Sequence, residues 1–306
     1  MIYTLTTNPA IDYNISTNGI HPKVVNRTFD AVYTPNGKGL NVSFVLKHFG
    51  MTSRILGFFG GFSGEYVVKE AEKKGVEVLP VWVDDITRIN IFLNDGTQEF
   101  KFVNAGSNVE RFQMNEMIDK IAEAQDMDVL IISGSLPKGI TSAYYDEILR
   151  VCQKTHVRVI LDISSLKLKE LLDYRPYLIK PNDEEIEAIF GWKINSSEDV
   201  CKVMQQLHEM GAQNVLLTMG EHGAYFSNGK SIYYANAQKI ELLSSACAGD
   251  AALAAFLSIW LRDETAIETA LKRSAATGAN VAESAALGLF DKVEEYENNI
   301  QVRKVN

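Results

Sequence analysis

Asp250 lies in the segment Ser244–Leu257 (SSACAGDAALAAFL), where a run of small residues leads straight into an apolar helical pattern. Small residues let a ligand approach the backbone closely. The first amides of a helix are unpaired donors at the positive end of its dipole, so they suit an anion. A carboxylate at that point can take the proton of a hydroxyl lying against the same anion. An ordinary Asp N-cap accounts for these residues equally well.

Other segments carry related chemistry. In Pro35–Val42 (PNGKGLNV) glycines flank Lys38 at a helix start, which again suits an anionic group. It is not a Walker A loop, because Gly39 stands where the magnesium-binding hydroxyl belongs. A loop lysine in solvent is the alternative. Lys180–Glu185 (KPNDEE) follows a strand and opens a helix. Asn182 and Glu185, three residues apart there, can share magnesium-bound water, and acidic residues in a first turn also serve as plain dipole partners. Thr218–Gly223 (TMGEHG) ends a strand with Gly220 and Gly223, a bed for a nucleotide or a simple strand-to-hairpin turn. Gly57–Gly64 (GFFGGFSG) has the spacing G-x-x-G-G-x-x-G, not the dinucleotide fingerprint. A close turn under a substrate, or packing, suits it better. The 5 histidines are scattered and take no role.

The elements that must position these residues alternate along the chain. Strands are expected at Ile2–Thr7, Arg54–Phe59, Asp128–Ser133, Arg158–Ile163, Tyr177–Lys180 and Asn214–Thr218. Helical spacing occurs at Gly39–Phe49, Gly64–Lys74, Tyr144–Lys154, Leu166–Leu172, Asp183–Phe190 and Asp199–Met210. Short apolar strands separated by helices predict a parallel sheet covered on both faces. Two stretches break the rhythm. Thr87–Leu93 and Thr97–Val103 form a hairpin pattern turning at Asp95-Gly96, and residues 11–35 hold β-like fragments without a helix. Both predict a small projecting sheet. A further hairpin spans Ala224–Tyr234, turning near Asn228-Gly229.

Composition narrows the partners. A net charge of -9 over 306 residues argues against nucleic acid, which needs a cationic face, but not against an anion bound by a few placed cations. The 3 cysteines form no CxxC pair, in keeping with a reducing compartment. The start MIYTLTTNPAID lacks a secretory pattern, and no apolar run reaches membrane-spanning length. The expectation is a soluble cytoplasmic α/β protein with no membrane partner.

The order of the motifs resembles the ribokinase-like (PfkB-type) carbohydrate kinases, in the 1-phosphofructokinase and tagatose-6-phosphate kinase branch. Thr7–Asp12, Asn26-Arg27, Gly37–Val42, Gly60–Tyr66, Thr87–Asn90, Ser133–Pro137, Lys180–Asn182 with Glu185, and Gly249-Asp250 carry the likeness, which covers nearly the whole chain. It implies a single domain over residues 1–306: a three-layer αβα sandwich with a mostly parallel sheet and a β lid near 11–35 and 86–104. It implies that Asp12, Gly37 and Asn41 hold sugar hydroxyls, with Asn90 on the same substrate side. Lys38, Arg88 and Arg27 would grip the substrate's standing phosphate. Thr218, Gly220, Gly223 and Asn280 would border ATP, and Asn182 and Glu185 would act on Mg²⁺, Glu185 through water. Asp250 would be the base, with the amides of Cys247, Ala248, Gly249 and Asp250 around the transferred group. The expected reaction is ATP-dependent phosphorylation of a ketohexose phosphate, fructose 1-phosphate first and tagatose 6-phosphate as the alternative.

Two departures from the branch stand out. Cys247 replaces a usual glycine, and its β-carbon restricts the dihedrals that glycine permits. Near a helix N-terminus it is a reactive thiol or a buried inert one. Asn36 also replaces a usual glycine, though Asn tolerates left-handed geometry. Rival functions are a sugar-phosphate-binding regulator with a weakened anion hole, and a nicotinamide-dependent oxidoreductase resting on the glycines near Gly60. The open edges of a lid sheet suggest a homodimer.

Overall fold

The computed structural model describes residues 1–305; Asn306, the last residue of the expected single-domain span, lies outside them. Two sheets organise the chain. The first strand, β1 (Ile2–Thr6), is buried throughout and lies inside a 10-stranded sheet, third from one edge. The chain next leaves for a 4-stranded sheet through β2 (Ala10–Thr17) and β3 (Thr28–Asn36). It returns through α1 (Lys38–His48) to β4 (Ser53–Gly60), then α2 (Gly61–Lys73) and β5 (Glu77–Val83). The antiparallel hairpin β6 (Arg88–Asn94) and β7 (Glu99–Phe102) completes the small sheet, in the order β3-β2-β6-β7.

The rest of the chain builds outward from the other side of β1. Helix α3 (Arg111–Glu123) precedes β8 (Val129–Ser133), then α4 (Ala143–Lys154), β9 (Arg158–Asp162), α5 (Leu168–Leu171) and β10 (Leu178–Ile179). Next come α6 (Asp183–Phe190), α7 (Ser197–Glu209) and β11 (Val215–Thr218). The sheet is parallel from β5 through β4, β1, β8, β9 and β10 to β11. The strands β12 (Ala224–Ser227), β13 (Ile232–Ala235) and, last in the chain, β14 (Val302–Lys304) extend it antiparallel. Between β13 and β14 come α8 (Ala248–Trp260), α9 (Ile267–Ala282) and α10 (Val293–Asn299).

Strand alternation divides the core. Tyr3, Leu5, Leu56, Phe58, Leu130 and Ile132 pack on one face with Met117, Ile121, Ile148 and Leu207 of α3, α4 and α7. Ile2, Val129, Ile131 and Leu216 face the other way, against Val42, Leu253, Phe256 and Leu271 of α1, α8 and α9. The run of small residues in α8 serves close helix packing beyond its first turn. Ala251, Ala254 and Ala255 are fully buried, and a Cβ at Gly278 of α9 would stand 3.3 Å from the Cβ of Ala252. The aromatic stack of Trp260 on Tyr177 at 5.0 Å anchors the far end of α8.

The expected elements are present with shifted ends. The second helix begins at Gly61 rather than Gly64, and the pattern over 166–172 yields only α5 followed by a 3₁₀ turn, Leu172–Tyr174. The fragments in 11–35 are β2 and β3, and the hairpin at 224–234 is β12 and β13, with Asn228 Oδ1 capping the turn amides of Lys230 and Ser231 at 3.0 Å. The glycines of 57–64 are packing devices. A Cβ at Gly60 would stand 1.9 Å from the Asp85 carbonyl, and one at Gly57 would stand 2.7 Å from that of Thr6. No helix among the described residues is long and apolar enough to cross a membrane.

Candidate active site

The carboxyl ends of parallel strands collect loops and helix starts, and a crevice opens where neighbouring strands send the chain to opposite sides. Here β1 is that place, since β4 flanks it on one side and β8 on the other. After β1 the chain climbs into the small sheet, while β9, β10 and β11 end at Asp162, Ile179 and Thr218.

Asp250 lies in the first turn of α8 and is 4% exposed. One carboxylate oxygen accepts from Asn41 Nδ2 at 3.0 Å; the other lies 3.8 Å from Lys38 Nζ. Lys38 also stands 3.5 Å from Asp162, which is 1% exposed and 3.0 Å from Lys180 Nζ. Two carboxylates and two ammoniums thus form one connected group. Burial pushes the Asp250 carboxyl up to about 6; Lys38 draws it down and the charge of Asp162 adds to the rise. Burial would also raise Asp162, but Lys180 and Lys38 outweigh it and hold that carboxyl below its ordinary value. The Lys38 ammonium is held above its usual range, chiefly by Asp162.

The first bond of α8 runs from Ala251 N–H to the Cys247 carbonyl at 2.9 Å. The amides of Ala248, Gly249 and Asp250 lie ahead of it and have no partner among the described residues. They are an open anion site at a helix start, beside a carboxylate of raised pKa. The N-cap is Cys247 at φ 64, in the left-handed region where a β-carbon is strained by about 1–2 kcal/mol. Its thiol is pushed up to about 12, mainly by burial and then by the charge of Asp250, which disfavours the reactive thiolate.

The small sheet presents a second cluster, fixed by register. Ala10 pairs with both Asn36 and Arg88, and Asp12 pairs with both Thr34 and Asn90. Alternation therefore puts Asn36, Arg88, Asp12 and Asn90 on one face. Asp12 accepts from Asn90 Nδ2 at 2.8 Å and from Asn36 Nδ2. Asn36 Oδ1 in turn accepts from Asn41 at 2.9 Å, and so links this face to the base. Gly37 turns the chain into α1 at φ 153, where a Cβ would stand 2.6 Å from Thr6 Cγ2. Arg88 donates to the carbonyls of Asn8 (3.1 Å) and Asn104 (3.3 Å). Its buried Nε has no partner among the described residues, and desolvation lowers its pKa despite the charge of Asp12. A guanidinium without a carboxylate partner suits a phosphate.

On the β11 side, Asn182 and Glu185 cap the start of α6 reciprocally. Asn182 Oδ1 accepts from Glu185 N–H at 2.7 Å, and Glu185 Oε2 accepts from Asn182 N–H at 3.0 Å. Glu185 also accepts from Ser164. The backbone of Thr218 bonds to Pro181 at 3.2 Å, so the two segments share one rim. Gly220 takes φ 50 and has open space where a side chain would stand, whereas a Cβ at Gly223 would meet the Ala235 carbonyl at 2.2 Å.

Three of the expected site residues have other surroundings than the resemblance implies. Lys38 was assigned to the substrate's standing phosphate, and its ammonium lies 3.8 Å from Asp250 and 3.5 Å from Asp162. Asn280 is 2% exposed; its amide donates to Glu283 and accepts from the Lys292 N–H, both at 3.4 Å. Arg27 precedes β3 at the end opposite Asn36, roughly 25 Å away along the strand, and does not join this chain's own cluster. Asp162 was missed. A lone carboxylate at the end of an apolar strand was the available signal, and its two lysine partners come from distant segments.

The description "pfkB family carbohydrate kinase" matches residues 5–291. A D-tagatose-1-phosphate kinase from Klebsiella oxytoca is 48% identical over 302 residues, 99% of each chain. A 1-phosphofructokinase from Bacillus subtilis is 32% identical over 306 residues, 100% of each chain. The crystal structure of phosphofructokinase-2 from Escherichia coli in complex with potassium superposes with a TM-score of 0.89 at 25% identity, covering 97% of this chain and 98% of that one. Likeness that runs from β1 through the start of α8 to residue 291 leaves one assignment: the chain belongs to the pfkB family of carbohydrate kinases.

Proposed function

We propose that this sugar-phosphate kinase transfers the γ-phosphoryl of ATP to the 6-hydroxyl of a ketohexose 1-phosphate, D-tagatose 1-phosphate before D-fructose 1-phosphate. The observation that carries the reaction is the buried Asp250 carboxylate, bonded to Asn41 and facing Lys38 beside the unpaired amides of α8. Fructose 1-phosphate, expected first from the sequence, becomes second because the tagatose 1-phosphate enzyme of Klebsiella oxytoca shares 48% identity and the Bacillus subtilis 1-phosphofructokinase 32%. Tagatose 6-phosphate comes third, its kinase from Staphylococcus epidermidis being 29% identical.

The residues divide the work by charge. Arg88 receives the standing phosphate of the sugar, while Asp12, Gly37, Asn41 and Asn90 hold its hydroxyls. Asp250 takes the proton of the acceptor hydroxyl as that oxygen bonds to the γ-phosphorus and the bond to the ADP oxygen breaks. The amides of Ala248, Gly249 and Asp250 and the Lys38 ammonium balance charge on the phosphoryl as it moves. Thr218 and Gly220 border the nucleotide. Mg²⁺ fits this surface: it keeps several waters and leans on few carboxylates plus phosphate. Among the described residues no group of three or more His, Cys, Asp or Glu is placed to enclose a metal. Asn182 and Glu185 would hold the ion through water, where it would neutralise polyphosphate charge.

The small sheet acts as the lid over the sugar, excluding water that competes for the phosphoryl. Exposed Phe29, Val32, Tyr33 and Phe102 support its use as a homodimer surface. The cytoplasm, with its ATP supply, is the proposed location.

ADP release with ketohexose 1-phosphates should be robust in the wild type and about 10²–10⁴-fold slower in Asp250→Asn. Equal rates would instead indicate a regulator. Because the base works ionised, kcat/KM for the sugar phosphate should fall as pH drops through about 6. Lys38→Met should move that limb to higher pH as well as slow turnover; an unmoved limb assigns the titration to the substrate's own phosphate. Arg88→Ala should raise KM for the sugar phosphate by more than about tenfold while KM for ATP changes little, and equal effects would refute its place on the sugar side. Cys247→Gly should give equal or higher turnover, the relief of about 1 kcal/mol of backbone strain being partly offset by the flexibility of glycine. A large fall in kcat would refute the strain argument.

A further inference from the structure

We infer that Asn36 reads the configuration of the sugar ring and separates ketohexose 1-phosphates that are epimers at one carbon. The inference rests on the substrate class proposed above.

Asn36 ends β3 on the face that also carries Asp12, Asn90 and Arg88. The orientation of its amide is fixed by its neighbours. The Gly37 N–H donates to Oδ1 at 2.6 Å, so that end must be the oxygen, and the Asp12 carboxylate faces the other end, which must be the nitrogen. Oδ1 also accepts from Asn41 at 2.9 Å, which fills its second lone pair. Nδ2 gives one hydrogen to Asp12 and keeps one that no group among the described residues uses. Asp12 likewise has acceptor capacity left after Asn90 and Asn36.

One free donor beside one free acceptor defines a site for a hydroxyl that accepts from Asn36 and donates to Asp12. Both roles of that hydroxyl are then used, and only one ring face brings it there. Fructose 1-phosphate and tagatose 1-phosphate have the same atoms and differ only in the configuration at C4, so pocket size cannot separate them. Unpaired polar groups can, because the wrong epimer leaves the amide and the carboxylate without their hydroxyl. Asp12 alone discriminates poorly, since a carboxylate accepts over a wide range of directions, whereas an amide N–H points one way. Asn41 donates both to Asn36 and to Asp250, at 2.9 and 3.0 Å, so ring recognition and the base lie on one hydrogen-bonded line.

The test measures kcat/KM by ADP release with D-tagatose 1-phosphate and D-fructose 1-phosphate for the wild type, Asn36→Gly and Asn36→Ala. In both variants the ratio between the two sugars should move toward unity by about tenfold or more, with KM for ATP within about twofold of wild type. A ratio that stays within about twofold of wild type in both variants overturns the inference, as does a wild-type ratio near one. A wild type that releases ADP with neither sugar overturns the substrate class and the inference with it.

Discussion

The carboxylate proposed as the base has to be kept from both solvent and a permanent salt bridge, and the charges around it meet that constraint. Asp250 is buried, which alone would leave it a weak acid. Lys38 stands near enough to lower that cost but at 3.8 Å does not clamp it, because the same ammonium is shared with Asp162 at 3.5 Å. Asp162 is held from behind by Lys180, nearly as buried as itself. The group is close to neutral when all four are ionised, so it tolerates burial. Breaking such a buried pair by removing one partner typically costs about 3–5 kcal/mol. Lys38 is its most exposed member.

The two positions that depart from the family pattern converge on one amide. Asn41 Nδ2 lies 2.9 Å from Asn36 Oδ1, 3.0 Å from Asp250 and 3.3 Å from Cys247 Sγ. At position 247 the departure costs backbone strain at φ 64 and adds a thiol to the wall of the anion site. At position 36 it adds a directional N–H donor beside Asp12. Neither change replaces the Asp250 carboxylate.

Much of the frame was legible because it follows from local rules. Apolar runs of strand length alternating with helical spacing gave the parallel sheet, and the Asp95-Gly96 turn and the β-rich stretch before Asn36 marked the small sheet. What escaped was of two kinds. Strand β5, helix α3 and the helices after α8 carry patterns no stronger than their surroundings, and their neighbours in the fold decide them. Asp162 and Lys180 are unremarkable in sequence, since each is one polar residue at the end of an apolar strand.

By itself the sequence determined which chemistry was available: a carboxylate at a helix start, a glycine-flanked lysine, an acidic helix cap and a family pattern spanning the chain. It also determined which residues of one strand share a face, because β alternation needs only the order of residues, while the register between strands was left to the fold. Tertiary structure alone decided how the charges pair. Lys38 meets Asp162, which stands 124 residues further along the chain. Packing buries Asn280 against Glu283 and Lys292. Electrostatic interaction depends on distance through space and on the exclusion of water, and neither is written in the spacing of residues along a chain.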